Sequence, residues 1–229
     1  MSKIHMISYR AIRLSFLALF LSFSLNLEIA FADLRIDVTQ GRADPMPIAI
    51  NNLFGVNKEY SQVGKNIAEV ISANLERTGL FAPIEKKAFI KEVAGLDTRP
   101  TFTNWKVLNA QAMVHGRVVI KDDGRLNVQF RLWDVFAEQQ MVGNAYFTTP
   151  QNWRRIAHIM SDLIYKRITG ENGYFDTRIV YISESGPKDK RQKRLAIMDQ
   201  DGANHRFLTD GADLVLTPRF SPTMQEITY

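Results

Sequence analysis

Apolar and polar positions along this chain change period several times, and each change marks an element. Leu34, Ile36 and Val38 alternate with Arg35, Asp37 and Thr39. A period of two gives a short strand one apolar face. Pro47-Ile48-Ala49-Ile50 is an apolar run short enough to be a buried strand. After a polar loop, Ile67, Val70, Ile71 and Leu75 recur at helical spacing, with Ser61 expected to cap the helix start and Gly79 to end it in a left-handed turn. Phe81-Ala82-Pro83-Ile84 reads as an edge strand, because Pro83 has no N–H to give a central ladder. Residues 86–93 predict a short helix, and a second one over 105–109 would turn Trp105 and Leu108 inward.

The strongest alternation follows. Residues 112–120 and 125–134 flank Asp122-Asp123-Gly124, and Leu126, Val128, Phe130 and Leu132 alternate with Asn127, Gln129 and Arg131. This predicts a hairpin with one face on a core and one in water. Residues 141–148 extend it to a meander after the short connection Ala137-Glu138-Gln139. Pro150 opens a last helix whose Trp153, Ile156, Ala157, Met160, Leu163, Ile164 and Ile168 form an apolar stripe stopped by Gly170. Strands and helices mixed in this order predict an α/β domain over residues 33–170, a mixed sheet covered by helices. Residues 171–176 are the expected linker.

Beyond the linker the period of two returns. Arg178-Ile179-Val180-Tyr181 and Glu226-Ile227-Thr228-Tyr229 share an isoleucine and a tyrosine, with the isoleucines 48 positions apart. Propeller repeats run to roughly 40–50 residues. Between the copies lie Leu195-Ala196-Ile197-Met198, the turn Asp199-Gln200-Asp201-Gly202, and a second short strand over 205–208. Residues 177–229 thus read as an incomplete β-propeller, one blade and the start of a second. Because a lone blade cannot bury both faces, the chain is expected to be the front portion of a longer protein.

At the other end, Lys3, Arg10 and Arg13 precede an uncharged apolar run over 14–27, and Ala30-Phe31-Ala32 offers small residues to a signal peptidase. Residues 1–32 are expected to be a secretory signal, the run being shorter than the ~20 residues of a membrane span. Its removal takes away three basic residues and Glu28, and the 29 basic and 24 acidic residues become 26 and 23. That small excess argues against nucleic acid as a partner. There is no cysteine, so disulfides and thiolate zinc sites are excluded and stability in an oxidising compartment must come from packing.

Candidate chemistry is sparse. The chain has no Gly-x-Ser-x-Gly elbow, no His-Glu-x-x-His pair and no phosphate-cradling glycine loop. No catalytic, cofactor-binding or metal-binding residues are assigned. His115, His158 and His205 fall on separate elements and read as structural or solvated histidines. Asp199-Gln200-Asp201-Gly202 has two carboxylates and a glycine but lacks the distal glutamate of a calcium loop, and reads as a hairpin turn. The five bases of residues 188–194 read as a solvated loop between blade strands. The remaining candidate is the strand Asp33, Leu34, Arg35, Ile36, Asp37, Val38 and Thr39. It either pairs with a partner's sheet by β-augmentation or is an ordinary edge strand of its own domain.

Leu34-Arg35-Ile36-Asp37-Val38, Pro47-Ile48-Ala49-Ile50, Gly79-Leu80-Phe81, Met198-Asp199-Gln200-Asp201-Gly202 and above all residues 169–179, Thr-Gly-Glu-Asn-Gly-Tyr-Phe-Asp-Thr-Arg-Ile, resemble the TolB family of the Gram-negative Tol-Pal system. The resemblance runs through essentially all of residues 33–229. It implies a non-enzymatic periplasmic protein with an N-terminal α/β domain and a six-bladed propeller, peripheral to membranes and acting in envelope integrity and outer-membrane constriction at division. It further implies that the propeller binds the lipoprotein Pal, that residues 33–39 bind TolA, and that propeller occupancy controls whether that strand is docked or free. One departure is that Ser221-Pro222 is followed by Thr223-Met224 where many family repeats have Asp-Gly. A chain ending at Tyr229 would lack about five blades, expose blade edges and lose Pal binding. The competing readings are a propeller-gated serine peptidase, which needs a nucleophile elbow downstream, and a periplasmic small-molecule binder, which needs a convergent polar cluster in the α/β domain.

Overall fold

A computed structural model describes residues 34–36, 44–90, 93 and 95–229. Strand β1 (Met46–Ile50) runs parallel to β3 (Phe81–Pro83) on one side and to β4 (Ala112–Ile120) on the other. β4 pairs antiparallel with β5 (Leu126–Asp134), and β5 with β6 (Gln139–Thr148), giving the order β3-β1-β4-β5-β6. The two-residue β2 (Phe54–Gly55) pairs in parallel with the far end of β4. β3 is an edge strand, as its proline requires.

Two helices cover one face. Helix α1 (Lys58–Arg77) puts Ile67, Ile71 and Leu75 at zero exposure, and α3 (Trp153–Thr169) lies beside it with Ile156, Ala157, Met160, Ile164 and Ile168 buried. They pack on Ile48, Val114, Val128, Phe130 and Leu132 of the sheet. Asn57, not Ser61, caps α1, accepting from the Tyr60 N–H. Ser61 lies within the first turn and donates instead to the Gly55 carbonyl. Gly79 takes φ +72° after the last turn, and α3 follows a single 3-10 turn that begins at Pro150.

The opposite face departs from the expectation of a face in water. Ala49, Met113 and Trp133 point that way and are covered by Phe102, Trp105, Ala110 and Val135, with Phe89 edge-on to Trp105. Apart from Val135, which follows β5, the cover comes from the segment between β3 and β4, which is mostly not helical. The helix expected over 86–93 is a 3-10 turn at Lys86–Ala88 that ends as Phe89 becomes extended to reach Trp105. The second short helix, α2 (Thr103–Lys106), begins two residues earlier than expected, with Trp105 buried and Leu108 half-buried.

Residues 34–36 take no part in the sheet, which corrects the expectation of a strand there; Asp33, Asp37, Val38 and Thr39 lie outside the described residues. After α3, β7 (Arg178–Ser185), β8 (Gln192–Asp199) and β9 (Arg206–Phe207) form an antiparallel three-stranded sheet. β10 (Arg219–Phe220) and β11 (Ile227–Thr228) form a separate hairpin. Its turn dispenses with Asp-Gly because the Ser221 hydroxyl accepts from the N–H groups of Thr223 and Met224. These strands are the beginning of a propeller and close no barrel. Among the described residues no helix is long and apolar enough to cross a membrane.

Candidate functional site

Residues 34–36 rest on the C-terminal end of α3. Leu34 and Ile36 are half-buried against the core and Arg35 is exposed, as their alternation requires. The Ile36 N–H donates to the Ile168 carbonyl at 2.9 Å. The last carbonyls of a helix lack partners within it and carry partial negative charge, so both this donor and a nearby guanidinium are favourable there. Gly170 caps α3 at φ 83°, a left-handed conformation suited to glycine. A Cβ on Gly170 would also lie 2.3 Å from an Arg35 guanidinium nitrogen, so the Arg35 side chain lies over the helix stop.

The linker is strapped to the same helix. Asp162 accepts from the Phe175 N–H at 2.8 Å and the Asp176 N–H at 3.0 Å. A Cβ on Gly173 would sit 2.1 Å from the Asp162 carboxylate, so glycine makes this grip possible. Phe175 is fully buried in the α/β core, edge-on to Tyr165. Asp176 then takes Arg155 in a two-point ion pair that raises the arginine's already high pKa.

A polar seam joins the first blade to the helix pair. The turn Asp199-Gln200-Asp201-Gly202 closes with Gly202 at φ 85° and projects Gln200 and Asp201 at α1 and α3. Gln200 donates to Asn74 Oδ1 at 3.0 Å and accepts from Arg77 at 3.1 Å. Arg77 also donates to Asn74 Oδ1, at 2.9 Å. Asn74, at zero exposure, uses its NH2 group on Ser161 Oγ and His158 Nδ1, both at 3.0 Å. Ser161 spends its own hydrogen on the Ala157 carbonyl. Across the ring, His158 Nε2 lies 3.7 Å from Asp201 and 4.0 Å from Asp199, with no closer partner. Arg154 closes on Asp201, whose other oxygen accepts from the Ala203 N–H at 3.1 Å.

Burial pushes the His158 pKa down, against the pull of Asp201, Asp199 and Asp176 and with the repulsion of Arg154. Burial alone would raise Asp201, but the Ala203 amide and Arg154 hold it below the usual carboxylate range.

His158, Asp199 and Asp201 offer metal-type atoms within 4.8 Å of one another. The hydrogen-bond roles do not suit an ion. Asn74 Oδ1 is taken up by two donors, so its NH2 must face Nδ1. Nδ1 is therefore the acceptor and the neutral ring carries its hydrogen on Nε2, the atom a cation would need free. The Arg154 guanidinium already occupies the carboxylate side.

Sequence reasoning treated His158 and residues 199–202 as unrelated; the fold brings them together. It missed Asn74, Ser161 and Asp162 altogether. The available signal was that Asn74 stands on the apolar stripe of α1 and Ser161 on that of α3, where a polar side chain must find a partner. His115 stays apart, accepting from Trp133 Nε1 at 2.9 Å and facing the Gly95 carbonyl at 3.3 Å. Burial lowers its pKa to about 4. In the basic run, Arg191 and Lys193 pair with Glu184 and Arg194 stacks on Phe207.

Comparison with known proteins follows the same division. The TolB amino-terminal domain family matches residues 34–141, and the TolB beta propeller domain family matches residues 165–229. The chain belongs to the TolB family. The Tol-Pal system protein TolB of Paramagnetospirillum magneticum is 58% identical over 200 residues, covering 87% of this chain and 45% of that protein. The crystal structure of TolB from Acinetobacter baumannii superposes with a TM-score of 0.63 at 23% identity, covering 77% of this chain and 41% of that one, and supports the fold. The chain therefore spans less than half the length of either relative.

Proposed function

We propose that this chain is the TolA-facing part of a non-enzymatic Tol-Pal component, exported by residues 1–32 and acting in the periplasm through protein contacts. In this reading residues 33–170 form the recruiting domain, 171–176 the connection, and 177–229 the start of the propeller that meets Pal. Residues 33–39 add to a sheet edge of TolA, and for this residues 34–36 leave the end of α3. These contacts serve envelope integrity and outer-membrane constriction at division.

The observation that carries it is the resting place of residues 34–36. Alternating Leu34, Arg35 and Ile36 would suit a strand, yet they are held outside the sheet by the Ile36–Ile168 hydrogen bond and two half-buried side chains. A segment of that kind is releasable at modest cost, and its backbone donors and acceptors then suit pairing with another chain. The relative from Paramagnetospirillum magneticum is a Tol-Pal system protein.

Competition provides the test. A synthetic peptide of residues 33–39 should displace the full-length protein from immobilised TolA in a dose-dependent way, while a scrambled peptide of the same composition should not. Equal behaviour of the two peptides would sink the assignment.

A further inference from the structure

The seam between the helix pair and the blade is built around one titratable ring whose two nitrogens have opposite requirements. His158 is 2% exposed and sits where three elements meet. From α1 it faces Asn74, with Arg77 behind it; from α3, Arg154 and Ser161; from the blade turn, Asp199 and Asp201, with Arg178 of β7 3.9 Å from Asp199. Asp176, from the connection, contributes at longer range.

A second proton on His158 must go to Nδ1, because the neutral ring already carries one on Nε2. Nδ1 faces the Asn74 NH2 group at 3.0 Å, and Asn74 cannot turn its oxygen there without losing Arg77 and Gln200. Two donors would then oppose each other between buried side chains, which is costly. The carboxylates of Asp199 and Asp201 would welcome the charge, but at 4.0 and 3.7 Å they reach Nε2 and not Nδ1. The less costly response is for the Asn74 contact to open, and Asn74 is what Gln200 holds.

We propose that His158, Asn74 and Gln200 form a proton-sensitive latch: neutral His158 keeps the first blade on the α1–α3 pair, and protonation of Nδ1 releases it. The sign follows from linkage. A histidine harder to protonate in the latched state than its ordinary value of 6.5 favours latching above that value and loses the contribution as pH falls below it. The latch stands on the seam geometry and is independent of which partners the two domains meet.

The test is solvent exchange of the Asn74 and Gln200 side-chain amide protons, followed by NMR in the whole chain at pH 7.5 and 5.5. His158→Gln serves as reference, since glutamine keeps a donor and an acceptor but does not titrate. Wild type and variant should exchange alike at pH 7.5, and wild type should exchange severalfold faster than the variant at pH 5.5. Asn74→Asp, which replaces the donor facing Nδ1 with an acceptor, should reverse the response and strengthen latching as pH falls. Should Asn74→Asp fail to fold, the ring nitrogen resonances of wild-type His158 decide the matter. An Nε2–H tautomer with a midpoint below 6.5 supports the latch. An Nδ1–H tautomer, a midpoint at or above 6.5, or an equal pH response in wild type and His158→Gln overturns it.

Discussion

In the α/β domain Ile48, Ile71, Leu132 and Ile164 reach zero exposure between the sheet and two helices, and Trp105 and Met113 close a second core behind it. The three-stranded sheet that follows buries Leu195, Ala196 and Ile197 but leaves Phe207 and Leu208 open, and Phe220 of the next hairpin is open too. The first region is held by burial of its own apolar surface. The blade is placed against it by the Asn74–Gln200 contact, the Arg154–Asp201 pair and the Asp162 grip on residues 175 and 176. Apolar burial does not respond to protons or partner charge, whereas a polar seam does, so the domain is the fixed part and the blade's placement the adjustable one.

That contrast can be broken most forcefully in the core. Phe130→Ala removes a 1% exposed ring between sheet and helices and should cost about 3–5 kcal/mol in urea unfolding. Phe207→Ala, at 40% exposure with the Arg194 stack and an edge-on contact to His205 to lose, should cost no more than about 1–2 kcal/mol. Comparable losses at the two sites would erase the distinction.

Protons should touch the fixed region only well below neutrality. His115, held at about 4 by burial, favours the folded domain above its ordinary 6.5, and that contribution disappears as pH falls through 4. The shift corresponds to something on the order of 3 kcal/mol. Stability of wild type should therefore fall more steeply between pH 6.5 and 4 than that of His115→Gln, which retains an acceptor for Trp133. Parallel curves would remove His115 from the account.

Two smaller effects separate the strap from the stop. Asp162→Ala leaves the Phe175 and Asp176 amides without their carboxylate and should cost roughly 1.5–3 kcal/mol, with faster exchange of both amides. Gly170→Ala meets a left-handed φ and should cost about 1–2 kcal/mol, while the exposed Arg35 guanidinium swings aside and residues 34–36 stay docked. Faster exchange at Ile36 in Gly170→Ala would show instead that the helix stop and the docked segment are coupled.

Much of the fold was legible wherever one periodicity ran uninterrupted. Residues 112–134, the α3 stripe ending at Gly170, and the proline-marked edge at Phe81–Pro83 all follow from local pattern. The segment between β3 and β4 was not, because Phe89, Phe102 and Trp105 are spaced to cover a sheet and not to form a helix. The strand expected over residues 33–39 has strand alternation, yet residues 34–36 take a helix end for their partner, a choice made by tertiary contacts. The seam was legible only as polar residues at apolar positions, Asn74 and Ser161. Their meaning depends on residues more than 80 positions away.

The proposed role in TolA binding requires the Ile36 N–H to serve in turn the end of α3 and a partner's sheet edge. Ile36→Pro deletes that donor and fixes a backbone angle while leaving the buried core of the α/β domain in place. Calorimetric titration of TolA into the full-length protein should give clear binding for wild type and none for Ile36→Pro, with both proteins folded by circular dichroism. Undiminished affinity of the proline variant would contradict the account.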